Sequence, residues 1–209
     1  YNRGPVVFVN VLDPKTHKKS TSSKNVTVTN KVAKVDAPVL LDTLQIKAST
    51  AGSALIAGSD YEAVYDDDGV LVITLLDDGT ATAASNLTLT YDEIDAAAVD
   101  ADDIIGGINV SDGSVKGLEC LNKVFPITGL VPGIVLAPGW SETPTVAAVM
   151  KAKAGNINSH FKAITLNDVP TDAVKKYTDV KAWMNQNSYN DTSQVVCWPM
   201  VKMGDDVYH

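Results

Sequence analysis

Apolar and polar residues alternate in two different styles along the 209 residues. Near the start, Pro5 to Leu12 reads PVVFVNVL. A continuous apolar run of this length, rich in Val and Phe, predicts a strand buried on both faces, ended by Asp13-Pro14. Lys15 to Lys24 (KTHKKSTSSK) is basic and rich in Ser and Thr, and predicts an exposed loop. From about Asn25 to Asp95 the period is close to two. NVTVTN, DTLQIKA (Leu44 and Ile46 on one face), DYEAVY, VLVITLL and LTLTYD predict short strands. They are separated by Gly52, Gly58, Asp66-Asp67-Asp68-Gly69 and Asp77-Asp78-Gly79, and Asp-Gly between two such runs predicts a hairpin.

The style changes near Ile104-Ile105-Gly106-Gly107. Val115, Leu118, Leu121 and Phe125 recur at helical spacing, so a helix is expected over Ser114 to Phe125, ended by Pro126. Pro132 to Leu136 predicts a short strand. Thr143 before Pro144 has the form of an N-cap followed by Pro at the first helical position. Val146, Ala147, Met150 and Ala154 share one face of that helix, and Gly155 closes it. Phe161 to Leu166 and Gln194 to Met200 predict two more strands, with a helix over Asp179 to Asn187 between them. Strand, helix, strand, helix, strand at this spacing predicts an α/β layer with a largely parallel or mixed sheet. The expected fold class is therefore α/β (α+β). A discontinuous α/β domain, residues 1–24 plus 101–209, is interrupted by an inserted all-β sandwich or barrel-like domain, residues 25–100, and the strand at Val6 to Leu12 joins the α/β sheet.

Hydrophobic residues make up 45% of the chain and charged residues 20%, as in ordinary globular protein. No apolar run approaches the roughly 20 residues that span a bilayer, and no charged-then-apolar leader is seen. The opening residue, Tyr1, is not Met, which suggests a piece of a longer protein. The net charge of −8 is unevenly placed. Between Lys47 and Lys116 there are 14 acids and no Lys or Arg, while the rest of the sequence sums to +6. Such an acidic stretch repels phosphates and argues against a nucleic-acid binder. Such a division of charge marks a solvated, self-repelling face or, less often, a charge-complementary partner surface. Cys120 and Cys197 read as two buried thiols, with a disulfide as the alternative. The sequons at Asn25, Asn86, Asn109 and Asn190 matter only in a secreted eukaryotic chain.

Candidate chemistry is sparse. Gly139-Trp140-Ser141-Glu142-Thr143 follows a strand and precedes a helix, the setting of a nucleophile elbow. The second Gly of that motif is replaced by Thr143. Asp168 or Asp205 and His209 could complete a triad with Ser141. The plainer reading is that Ser141 and Thr143 satisfy free amides at a helix start. His17, His160 and His209 are widely spaced and form no zinc pattern. Asp66-Asp67-Asp68-Gly69 lacks the alternation and closing Glu of a calcium loop. Ile105-Gly106-Gly107-Ile108 and Gly113-Ser114 lack the Lys and spacing of a phosphate loop. Trp140, Trp183 and Trp198 could form a ligand platform but more commonly pack. Catalytic, metal and cofactor residues are thus expected to be none.

Leu130 to Pro144, LVPGIVLAPGWSETP, resembles the signature stretch of myovirus-type contractile tail sheath proteins. There a strand ends in an Ala-Pro-Gly-aromatic-Ser turn before an Ala-rich helix. Asp103 to Phe125 is similar to the segment leading into it. Trp183-Met184-Asn185-Gln186-Asn187 and Val196-Cys197-Trp198-Pro199 match in style, as do Gly58-Ser59-Asp60-Tyr61 and Gly69 in the insertion. The resemblance implies a bacteriophage or prophage structural protein, located in the virion tail sheath after assembly in the host bacterial cytoplasm. It also implies partners: other sheath subunits in stacked hexameric rings, and a tail tube protein driven through the host envelope on contraction. In such a sheath the mildly basic α/β layer is expected to face neighbouring subunits or the tube, and the acidic insertion to point outward. The family's extended arms add strands to a neighbour's sheet and do not appear in this chain. No nucleic acid, membrane insertion, small-molecule substrate or enzyme activity is implied. Two rivals remain on the residues alone. One is a serine hydrolase-like α/β enzyme using Ser141. The other is a β-rich carbohydrate-binding or adhesive module presenting Tyr61, Tyr65 and Tyr91.

Overall fold

A computed structural model describes residues 4–49 and 52–208. Helices and strands are mixed in several small sheets, and the chain divides into two compact units, Leu12–Ala98 and Tyr1–Val11 with Val99–His209.

The unit Leu12–Ala98 holds two antiparallel three-stranded sheets. Its strands are β1 (Lys18–Thr27), β2 (Val32–Val35), β3 (Gln45–Lys47), β4 (Tyr61–Tyr65), β5 (Leu71–Leu75) and β6 (Asn86–Ile94). They are ordered β1-β6-β3 and β2-β5-β4. The alternation read from the sequence is real. In β5, Leu71, Ile73 and Leu75 are buried while Val72 and Thr74 are half-buried. Ala33, Val35, Ile46, Leu87, Leu89 and Tyr91 join them in one core. The Asp66–Gly69 turn joins β4 to β5 as expected. Asp66 Oδ1 accepts the amides of Asp68 (3.2 Å) and Val70 (2.8 Å), and Gly69 takes a φ of +79°. The Asp77–Gly79 turn does not make a hairpin, because β5 and β6 lie in different sheets. Its glycine is needed for another reason: a Cβ at Gly79 would sit 2.8 Å from the Asp60 backbone.

Residues 15–24 are not the expected loop. Most of them belong to β1, which pairs antiparallel with β6 from Lys18↔Ile94 to Thr27↔Asn86, around a bulge between Thr21 and Lys24. Their polarity is that of a half-exposed strand. Lys18 bridges to Asp92 (2.6 Å) and Lys19 to Glu93 (3.2 Å). Lys31 and Lys34 bridge to Asp77 and Asp66. The charge division seen along the sequence therefore does not survive folding. This unit carries 7 Lys against 13 acids, and the other 10 Lys and Arg against 12 acids. Both are net negative, and the basic layer expected to face neighbours is not formed.

The second unit contains α1 (Ala101–Ile105), β7 (Gly107–Ile108), β8 (Val115–Lys116), α2 (Leu121–Thr128), β9 (Ile134–Leu136) and α3 (Pro144–Ala154). It continues through β10 (Ile164–Asp168), α4 (Tyr177–Gln186), β11 (Gln194–Cys197) and the hairpin β12 (Val201–Met203) and β13 (Asp206–Tyr208). β10 pairs parallel with both β9 and β11, giving the order β11-β10-β9. The expected parallel layer is present, but without its first strand. Residues 5–12 form no strand, and Val6 and Phe8 are exposed. A strand exists only through pairing, and the composition of this run does not supply a partner. Asp100 opens α1 with a capping box to Asp103. α3 spans the expected residues, and Val146, Ala147, Met150 and Ala154 are all buried.

The helix expected over 114–125 starts later and passes through its proline. A short 3-10 turn over Gly117–Cys120 leads into α2, which contains Pro126. Proline removes the amide that would bond the carbonyl four residues back, at Asn122. That carbonyl instead accepts from Asn158 Nδ2 (3.1 Å). Gly129, at φ +71°, ends the helix.

Candidate functional site

The one catalytic candidate of the sequence can now be judged by geometry. β9 ends at Leu136, the chain turns through Ala137-Pro138-Gly139, and Ser141 sits just before α3. The turn is fixed by the amides of Trp140 (3.0 Å) and Ser141 (2.8 Å), both donating to the Ala137 carbonyl. Gly139 adopts φ +74°, which a glycine accepts without strain. This places Ser141 beside the end of β10. Its hydroxyl donates to Asp168 Oδ2 (2.8 Å) and accepts the Asp168 amide (2.9 Å). The Ser141 carbonyl accepts from the Tyr189 hydroxyl (2.8 Å). Ser141 and Tyr189 are each 1% exposed. Burial, then the charges of Glu142 and Asp168, push the Tyr189 hydroxyl well above the usual phenol range.

Of the two acids that the sequence offers Ser141, Asp168 and Asp205, the structure brings Asp168 to it, but not as a nucleophile's partner. A serine nucleophile needs an imidazole base at its oxygen and an approach for substrate. Here the oxygen already accepts a backbone amide, and the side chain is sealed from solvent. His17 accepts the Asp13 amide at Nδ1 (2.8 Å), and the His160 ring nitrogen lies 3.0 Å from the Asn158 carbonyl. His209 lies outside the described residues, and Asp205 sits in the turn between β12 and β13. The capping reading also needs correction. Thr143 makes no side-chain cap to α3, and Ser141 satisfies the amide of a strand and not those of a helix. The arrangement is a clamp that ties the signature turn, β10 and Tyr189 into one rigid node.

The other candidates pack as structural parts. Trp183 packs against Tyr189 with the rings tilted by 51° (centroids 4.7 Å apart), Trp198 Nε1 donates to the Val174 carbonyl (2.8 Å), and Trp140 packs against the core beneath α3. Tyr61 and Tyr91 are buried, and the Tyr65 hydroxyl donates to the Val39 carbonyl (2.7 Å), so the three tyrosines form no open platform. Among the described residues no group of three or more His, Cys, Asp or Glu could hold a metal, and no helix is long and apolar enough to cross a membrane. Neither cysteine fits the buried pair expected. Cys120 is half-buried, its thiol pushed up by burial and then by the Glu119 charge, and Cys197 is exposed.

Sequence reasoning missed the pair Gly106 and Gly117. Both have positive φ, and they pack back to back: a Cβ on Gly106 would lie 2.0 Å from the Lys116 carbonyl oxygen, and one on Gly117 would lie 2.5 Å from that of Ile104. The signal was present as an unexplained Gly-Gly step followed by Gly117, dismissed once it failed as a phosphate loop.

Neither a family model nor a solved structure matches the chain. The tail sheath protein of Burkholderia phage BcepMu is 31% identical to it over 98% of its length. The chain spans 42% of that protein. The match runs through the signature turn whose serine is locked as a clamp, and by it this chain is a relative of the phage tail sheath proteins.

Proposed function

We propose that this chain is the core part of a contractile tail sheath subunit. It assembles with copies of itself into stacked hexameric rings around a tail tube protein, and its rearrangement on contraction drives the tube through the host envelope. Its work is mechanical. Its two domains are the discontinuous unit Tyr1–Val11 with Val99–His209 and the insertion Leu12–Ala98, whose start lies before the boundary at residue 25 expected from the sequence because Lys18–Thr27 is one strand paired with β6. It resides in the virion tail after assembly in the host cytoplasm. The observation that carries this reading is the match along nearly the whole chain to a tail sheath protein. The buried Ser141 clamp supports it, since a subunit that transmits force needs rigid joints at the ends of its strands. Repeated heterologous contacts build open helical arrays of the kind a sheath requires. Electron microscopy of the full-length subunit tests the proposal. Rings or tubes of regular pitch are expected, and a monomer that never self-associates under any assembly condition would overturn it.

A further inference from the structure

The sheet β11-β10-β9 is covered on one side only. Val135, Thr165 and Asn167 point to the α3 side and are buried. The parallel registers Leu166↔Leu136, Leu166↔Val195 and Asp168↔Cys197 put the alternate residues on the other side. There Ile134 is 54% exposed, Leu136 56%, Ile164 39% and Val195 43%, with Leu166 half-buried and Cys197 exposed. The result is a contiguous apolar surface with a charge only at its rim, Asp168, and that charge is engaged by Ser141.

Topology explains why this face is bare. The crossovers β9-α3-β10 and β10-α4-β11 step across the sheet in the same direction. Right-handed crossovers taken in one direction lay their helices on the same face. Neither crossover of this chain can therefore cover the outer side. Parallel sheets in stable proteins are covered on both faces, and an apolar patch of this kind marks a contact. The BcepMu relative carries more than half of its length outside the region this chain matches.

We propose that the outer face of this sheet is interior in the complete subunit. It is covered by an amphipathic helix from the same polypeptide, supplied by sequence outside these 209 residues and belonging to a crossover that steps the other way beyond β9. This rests on the tail sheath reading. The occupant is the subunit's own chain, because parallel sheets are closed on both faces by helices of their own crossovers, and the tail sheath relative has ample length outside the matched region to supply one. A second copy is the alternative that the test must separate.

Cys197 is a natural reporter on the face. Maleimide labelling, mapped by mass spectrometry to separate it from Cys120, is measured on the 209-residue chain and on the full-length subunit held as a monomer. Rapid labelling of the short chain is expected, and labelling slower by about tenfold or more in the full-length monomer, where reaction awaits local opening. Equal rates would overturn the proposal. So would protection that appears only on assembly, which would give the face to a second copy, or a short chain that dimerises and hides Cys197. Val195→Asp gives an independent readout. It leaves the melting temperature of the short chain nearly unchanged and lowers that of the full-length monomer; a full-length monomer that tolerates it would also overturn the proposal. Whether the full-length protein forms tubes is scored separately, so failure of the sheath reading is not confused with failure of this one.

Discussion

Replacing Ser141 by alanine tests whether the signature turn is a clamp. The hydroxyl is lost from a site that is 1% exposed, and two hydrogen bonds go with it. A bond to a charged acceptor contributes about 1.5–3 kcal/mol, and a buried amide left unsatisfied costs about 1–3 kcal/mol. Asp168 is only half-buried, so its carboxylate can turn to water and recover part of the first contribution. The strand amide cannot, because it faces the turn. The net expectation is a loss of about 2–4 kcal/mol, read as a lower urea midpoint with an unchanged slope. Asp168→Ala alone should cost less than Ser141→Ala, since it leaves the hydroxyl to hold the amide. The double variant should fall short of the sum of the two, by a coupling of about 1 kcal/mol or more. A Ser141→Ala protein within about 0.5 kcal/mol of wild type would refute the clamp. Covalent capture of Ser141 in the folded chain by a fluorophosphonate would refute it differently, by showing an open, activated oxygen. No labelling is expected.

Three further outcomes follow from packing and charge. Gly106→Ala forces a Cβ onto the Lys116 carbonyl at a backbone φ of +64°, so little folded protein should be recovered, whereas Gly133→Ala, where a Cβ meets nothing within 4 Å and φ is not positive, should fold normally as judged by circular dichroism. Met150→Ala, at a fully buried position on the inner face of α3, should lower unfolding free energy by about 2–5 kcal/mol in denaturant titration. The third concerns acid. The Ile56 amide, then the Thr80 amide and hydroxyl, hold the Asp60 carboxyl below the usual carboxylate range, and Lys18 with Ser20 does the same for Asp92. Depressed carboxyls stabilise the fold above their unfolded pKa and lose that contribution as pH falls through their folded one. Stability of the β unit should therefore decline below about pH 4, and Asp60→Asn should make the decline shallower in acid titrations followed by fluorescence.

The parts legible in the sequence were those decided locally. The segment from Thr143 to Gly155 announces its helix through Pro144 and the spacing of Val146, Met150 and Ala154, and all three are buried as that spacing requires. Short parallel strands after and before it are also readable, because βαβ spacing restricts the topology. What failed depends on partners far along the chain. The stretch 18–24 looks like a loop until β6 is placed beside it and its lysines meet Asp92 and Glu93. Val6 to Leu12 looks like a strand, but no local signal says whether a partner lies within reach. Pro126 was taken as a stop because nothing in the sequence shows that Asn158 will satisfy the carbonyl that proline leaves open. For the candidate site, the turn and its link to Asp168 were visible, but not their meaning. Burial and the direction of the hydrogen bonds decide between a nucleophile and a clamp, and both come from the packing of Tyr189, 48 residues away.

Charge and apolar surface lead to different expectations about assembly, and folding decides between them. Along the sequence, an acidic block beside a basic remainder suggests a basic layer facing neighbours and a self-repelling acidic insertion facing outward. In the folded chain the β1 lysines lie on the acids of β6, and Lys31 and Lys34 lie on Asp77 and Asp66. Exposed pairs of this kind add little stability, about 0–1 kcal/mol each. They do remove the large opposing patches that would act at a distance, leaving two units of the same net sign. Screening confines what remains to about 8–10 Å at ordinary salt. Attraction between neighbours must then come from groups in contact. Exposed apolar residues differ in their setting. Val110 and Ile127 stand singly on a loop and near a helix end, Val6 to Val9 form an unpaired run, and Ile134, Leu136, Ile164 and Val195 form one regular face of a parallel sheet. The proposed sheath subunit, which rearranges against its copies, would have reason to keep these apart, with the continuous face turned inward as proposed above and the others left for contacts that form and break.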